Sequence, residues 1–124
     1  MKIRAAVTYD TGAPYKIEDV ELDAPKFGEI LVRITASGIC HTDEAVQNQF
    51  IPTPLPAVLG HEGAGIVEAV GPGVTEFKIG DHVGISFGFC NSCCNCRKAR
   101  PFVCKKLNAI NFGGIQPDGT TRLH

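Results

Sequence analysis

Two short stretches place a cysteine and a histidine beside turn-forming glycines: GICHTD at 38–43 and GHEGAG at 60–65. Cys40 and His61 are metal-ligand types that must be deprotonated and held by a rigid backbone to meet at one ion. Each follows a glycine within two residues and ends a predicted strand, where side chains from different strands converge on one rim. Cys2His is a recognised ligand set for a catalytic zinc with an open position, and Cys40 and His61 supply two of its three members. Taken singly, either residue is more often packing or surface than a ligand.

The other cysteines crowd together. CNSCCNCRKARPFVC places Cys90, Cys93, Cys96 and Cys104 at C-x2-C-x2-C-x7-C. Two-residue gaps let thiolates from one tight loop face a common centre, and a fourth ligand closes a tetrahedron around zinc. The Asn, Ser, Arg and Lys residues between them are too polar for a buried core. An iron–sulfur cluster is the rival, but its usual run continues x3-C-P, whereas here the fourth cysteine follows seven residues and precedes Lys105. Cys94 is left as a free thiol. Arg97, Lys98, Arg100, Lys105 and Lys106 offset the negative charge of four thiolates around a divalent cation. This account is preferred to a nucleic-acid patch, because the whole chain carries a formal net charge of -1. A closed four-cysteine site has no open position, so it is scaffold, and chemistry must lie at Cys40 and His61.

The elements that position these residues read as short strands. ILVRITASG (30–38) alternates, with Ile30, Val32, Ile34 and Ala36 on one face, as in a half-buried strand that delivers Cys40 past its end. Ile3, Ala5 and Val7 alternate more weakly, Ile17 to Leu22 form another strand, and DAPKFGE (23–29) is a turn. TDEAVQNQF (42–50) is the helix of the first half, capped by Thr42 or Asp43 and ended by the loop IPTPLP. Glycines break a strand in VLGHEGAGIVEAVGPGV, and GDHVGISF (80–87) reads as turn then strand, with His82 a structural residue at a strand edge. GAGIVE lacks the third glycine of a dinucleotide fingerprint, and no helical pattern follows it. The sum is a mainly β, barrel-type domain over 1–124 with a zinc lobe at about 88–106 and few short helices. With 44% hydrophobic and 20% charged residues, no signal-peptide pattern and no bilayer-length apolar run, the chain reads as a cytoplasmic globular domain with no membrane or nucleic-acid partner. Six cysteines without a secretion signal favour metal or chemistry over disulfides.

GHEGAGIVEAVGPGV (60–74) matches G-H-E-x-x-G-x5-G-x2-V, and with GICHTD and the four-cysteine spacing it resembles the zinc-containing medium-chain alcohol dehydrogenases over essentially the whole chain. The resemblance implies a GroES-like catalytic domain in which Cys40 and His61 hold the catalytic zinc and Cys90, Cys93, Cys96 and Cys104 the structural zinc. It implies that Glu62 lies close to the metal and approaches it when water or substrate exchanges. Asp43 resembles the acid that accepts the ring N–H of His61, although a helix cap is an equally valid use of it. Thr42 matches the hydroxyl that hydrogen-bonds the alcohol and starts proton release, and His41 the residue near the cofactor pyrophosphate. Where some members end the proton relay with a histidine, this chain has Ala45. SFGFC (86–90) and NFGG (111–114) resemble the aryl-alcohol branch, with Phe87 and Phe89 either lining a benzylic pocket or packing beneath the zinc lobe.

The same resemblance implies a small-molecule alcohol or aldehyde substrate, NAD(P) as cofactor, and association into a homo-oligomer in the full protein. The family's Rossmann domain and third catalytic-zinc ligand have no counterpart in these residues. The chain therefore reads as an N-terminal portion, expected to be inactive by itself. A zinc-binding interaction module without catalysis is the alternative, and an iron–sulfur electron-transfer protein a further one.

Overall fold

The computed structural model describes residues 1–116 and 118–124. Among these residues, six strands form two three-stranded antiparallel sheets. In the first, β1 (Lys2–Thr8) lies between β2 (Lys16–Glu21) and β4 (Ala57–Val58). In the second, β5 (Gly63–Val70) lies between β3 (Ile30–Ser37) and β6 (His82–Gly84). The described residues also form three short helices, α1 (His41–Gln47), α2 (Cys94–Arg97) and α3 (Leu107–Phe112), with a 3-10 turn at Pro101–Val103. The mainly β class read from the sequence therefore holds. Among the described residues, no helix is long and apolar enough to cross a membrane.

The central strands carry the core. Ala5 and Val7 of β1 are buried with Val67 of β5 and Val46 of α1, the period-2 alternation doing on the strands what a single inward residue does on the short helix. Gly65 of β5 is required by close approach, because a Cβ there would collide with the carbonyl oxygen of Arg33 on β3. β3 departs from its predicted half-burial: Ile30, Leu31 and Val32 are half-buried, whereas Ile34 is 49% exposed. It is an outer strand of its sheet, and register irregularities at Leu31/Val32 and Ile34/Ala36 interrupt its alternation against β5.

α1 begins one residue earlier than the capping residues proposed for it. Its N-cap is Cys40, not Thr42 or Asp43, with Asp43 at the third helical position. The Asp43 carboxylate accepts the backbone N–H of Cys40 at 2.9 Å, and Cys40 Sγ accepts the N–H of Thr42 at 3.5 Å. This is the reciprocal arrangement of a capping box with sulfur in place of a hydroxyl, a pattern that a search for Ser, Thr, Asp or Asn at the cap passes over.

The far end of the chain is fastened to the turn before β3. Arg122 Nη2 lies 2.7 Å from Glu29 Oε1 and 3.0 Å from Asp118 Oδ2, its side chain only 11% exposed. Leu123 bridges Leu22, and Glu21 and His124 exchange both backbone hydrogen bonds.

Candidate metal centres

The four cysteines of the lobe converge. Cys90 comes from the loop before α2, Cys93 from its N-cap, Cys96 from its third position and Cys104 from the residue after the 3-10 turn, and their sulfurs all lie within 4.8 Å of one another. Sγ separations are 3.5 Å for Cys93–Cys96, 3.5 Å for Cys90–Cys104 and 4.0 Å for Cys90–Cys96. A tetrahedron with Zn–S bonds of about 2.3 Å has edges of roughly 3.8 Å, so the donor set fits zinc. Backbone N–H groups aim at the sulfurs: Cys93 donates to Cys90 Sγ, Cys90 to Cys104 Sγ and Lys106 to Cys104 Sγ, each at 3.4 Å.

These donors divide the thiols. The Ser92 hydroxyl, helped by the N–H groups of Ser92 and Cys93, holds Cys90 down to about 5. Backbone N–H groups of Cys96 and Lys105 lower Cys93. Burial, then the neighbouring thiols, pushes Cys96 up to about 12. Crowded thiols resist joint ionisation, and a divalent cation at their centre removes that resistance. Cys94, expected as a free thiol, is exposed and outside the four.

The second cluster brings Cys40, His61 and Glu62 together, their ligand atoms within 4.8 Å of one another. Cys40 arrives by capping α1, and His61 and Glu62 by the bend between β4 and β5. Thiol, imidazole and carboxylate are a donor set that zinc accepts. His61 Nε2 stands 3.9 Å from Glu62 Oε1, and the Glu62 carboxylate lies across Gly38, where any Cβ would collide with it. The Gly38 N–H donates to the Glu62 carbonyl at 3.1 Å, tying the end of β3 to the same bend. Gly38 leaves room for the Glu62 carboxylate to lie over this backbone.

A cavity of about 260 Å³ opens beside this cluster, lined among others by Thr42, Asp43, His61, Phe87 and Phe112. The Cys40 thiol lies 3.4 Å from Thr42 Oγ1. Phe87 stacks on the His61 ring, centroids 4.7 Å apart and planes 22° apart, and Phe112 tilts against Phe87 at 6.0 Å. Phe89, the other aromatic named from the sequence, is 46% exposed and outside the lining. Among the described residues, the hydrogen bond of Asp43 goes to Cys40 N–H and none joins it to His61, so the cap is the use of this side chain that the geometry displays. His41 stands on the outer side of α1, 3.7 Å from Glu44 and 89% exposed, outside the cluster. His82 sits on β6, as read, and lines a separate cavity between β3, β6 and Arg122. Asn111 and Phe112 also line this cavity, and the isolated NFGG gives no hint that a short helix folds back over the bend.

The family model for the alcohol dehydrogenase GroES-like domain matches residues 26–122. An NDMA-dependent alcohol dehydrogenase of Amycolatopsis methanolica is 47% identical over 126 residues, covering 100% of this chain and 33% of that protein. The crystal structure of an alcohol dehydrogenase zinc-binding domain protein from Burkholderia ambifaria superposes with a TM-score of 0.97 at 48% identity, covering 100% of this chain and 34% of that one. Benzyl alcohol dehydrogenase from Acinetobacter calcoaceticus superposes at 0.96 with 45% identity, covering 99% and 34%. The chain thus spans about a third of the length of these relatives.

Proposed function

The chain belongs to the zinc-type medium-chain alcohol dehydrogenases through its GroES-like domain, and from that premise we propose that it is the metal-holding, substrate-side part of an enzyme oxidising primary alcohols to aldehydes with NAD(P). The observation that carries this reading is the convergence of Cys40, His61 and Glu62, with His61 lining the same cavity as Thr42. A zinc ion bound there supplies Lewis-acid polarisation of the substrate oxygen.

The chain's own residues do the rest. Thr42 presents Oγ1 beside Cys40 Sγ, where it can accept the proton that an alcohol hydroxyl gives up while donating its own onward. Asp43 fixes the Cys40 backbone, so the sulfur and the hydroxyl keep their spacing. Glu62 offers a carboxylate beside Cys40 and His61 that can replace a departing ligand. Phe87 and Phe112 give the cavity an apolar wall that excludes water from the reacting carbon and accepts the flat face of an aromatic alcohol. The benzyl alcohol dehydrogenase among the structural relatives supports that substrate class. Ala45 carries no group to continue the proton path, so protons leave Thr42 toward the cofactor or solvent side. His41, exposed at the first turn of α1, is placed to meet an anionic group of NAD(P). Four closed thiolates make the second zinc structural, and cysteines kept for metal suit a reducing, cytoplasmic setting.

Zinc counting tests the assignment. Two zinc ions per chain are expected in the wild type and one in Cys40→Ser, measured by elemental analysis after exhaustive buffer exchange. Two in both proteins, or iron in place of zinc, would overturn it.

A further inference from the structure

We infer that Asn111 is a positioning residue for His61, acting through Gly88 and the ring of Phe87. Asn111 Oδ1 accepts the Gly88 N–H at 2.7 Å, while its Nδ2 donates to the Gly88 carbonyl at 3.0 Å and to the Leu107 carbonyl at 2.8 Å. One half-buried amide thus spends its acceptor and both donor hydrogens on backbone, clamping the segment before the cysteine lobe onto α3. Such a set of bonds fixes position more strictly than apolar contact, because hydrogen bonds are directional.

The segment needs that anchor. β6 ends at Gly84, and the last bond to the sheet is Ile85 N–H to the Gly63 carbonyl at 2.8 Å. Phe87 follows, 39% exposed, so burial alone does not hold its ring. It lies between two fixed points, Ile85 on the sheet and Gly88 on α3, and from there covers His61 at 4.7 Å. Gly88 allows the close approach: a Cβ on it would stand 2.9 Å from Ile110 Cγ2. His61 has Glu62 near one nitrogen at 3.9 Å, beyond hydrogen-bond reach, and among the described residues no hydrogen bond to its ring. The Phe87 face therefore sets the plane of the imidazole, and Asn111 sets Phe87. This bears on catalysis only through the reading above, yet its test needs no metal.

Histidine ring protons of the 124-residue chain, observed by carbon-correlated NMR in metal-free and zinc-loaded protein, give the readout. His61 should be displaced upfield by the ring current of Phe87, and Phe87→Leu should abolish that displacement. Asn111→Ala should abolish it too while leaving His41, His82 and His124 in place; Asn111→Asp, keeping the acceptor but losing both donors, should reduce it. An undisplaced His61 in wild type, or one unmoved in Asn111→Ala, would overturn the inference. Should Asn111→Ala unfold, hydrogen exchange in wild type decides: a protected Asn111 side-chain amide and Gly88 N–H support the clamp, and free exchange refutes it. Loss of zinc binding would count against the proposed function and leave this result untouched.

Discussion

Cys40 has two tasks on one sulfur, capping α1 and offering a metal ligand. Serine keeps the first and gives up the second, since a hydroxyl is among the preferred N-caps. Cys40→Ser should therefore melt with the wild type when both are metal-free, whereas Cys40→Ala should lose about 1 kcal/mol, read by thermal unfolding. At Thr42 the hydroxyl, not the bulk, is at stake. In a polypeptide joining this domain to a nicotinamide-binding domain, Thr42→Val should lower kcat by about a hundredfold or more with zinc content unchanged, and Thr42→Ser should retain activity. The meeting of Cys40 and His61 was legible in the sequence because each stands beside a turn-forming glycine at the end of a strand. The cap was not, since sulfur is an unusual N-cap, and neither was the Asn111 clamp, since an asparagine bonded to backbone 23 positions away leaves no local pattern.

Among the elements, β5 and the cysteine lobe are built on opposite terms. β5 is a central strand whose Val67 is fully buried and whose Gly65 lies against the β3 backbone. Gly65→Ala has no flexible neighbour to displace at Arg33 and should cost about 1–3 kcal/mol in chemical denaturation. The lobe has almost no apolar interior: Cys104 is its buried residue, and Phe102 and Val103 beside it are exposed. Four sulfurs and the N–H groups aimed at them take the place of a core, so metal binding and folding should be one event there. A chelator strong enough to strip the lobe should abolish amide protection across 90–106 while β1, β3 and β5 keep theirs, as followed by hydrogen exchange. The strands were legible from alternation wherever one face is covered. Prediction failed where cover is lacking, at Ile34, and where an element is too short for periodicity, as in α2 and α3.

For the whole molecule, the Glu29–Arg122 pair joins the turn before β3 to residues 93 positions further along the chain. Hydrogen bonds from Arg122 hold the Glu29 carboxyl below its ordinary value of 4.5, and those from Thr120, then Arg122, hold Asp118 well below the usual carboxylate range. A depressed folded pKa stabilises the fold above the unfolded value and ceases to do so as pH falls through the folded one. Stability should therefore decline from about pH 4.5 downward, and Arg122→Gln should flatten that decline while lowering the plateau above it, measured as denaturation midpoint against pH. No reading of periodicity could have paired these residues, because 93 positions separate them.

That separation also sets an order in time. Closing so long a loop costs entropy before any contact repays it, so the pair should form after the sheets have paired. A contact absent from the folding transition state leaves the folding rate almost unchanged and acts on unfolding. Arg122 is then less a builder of the domain than a brake on its opening, and its loss should appear as a shorter native lifetime.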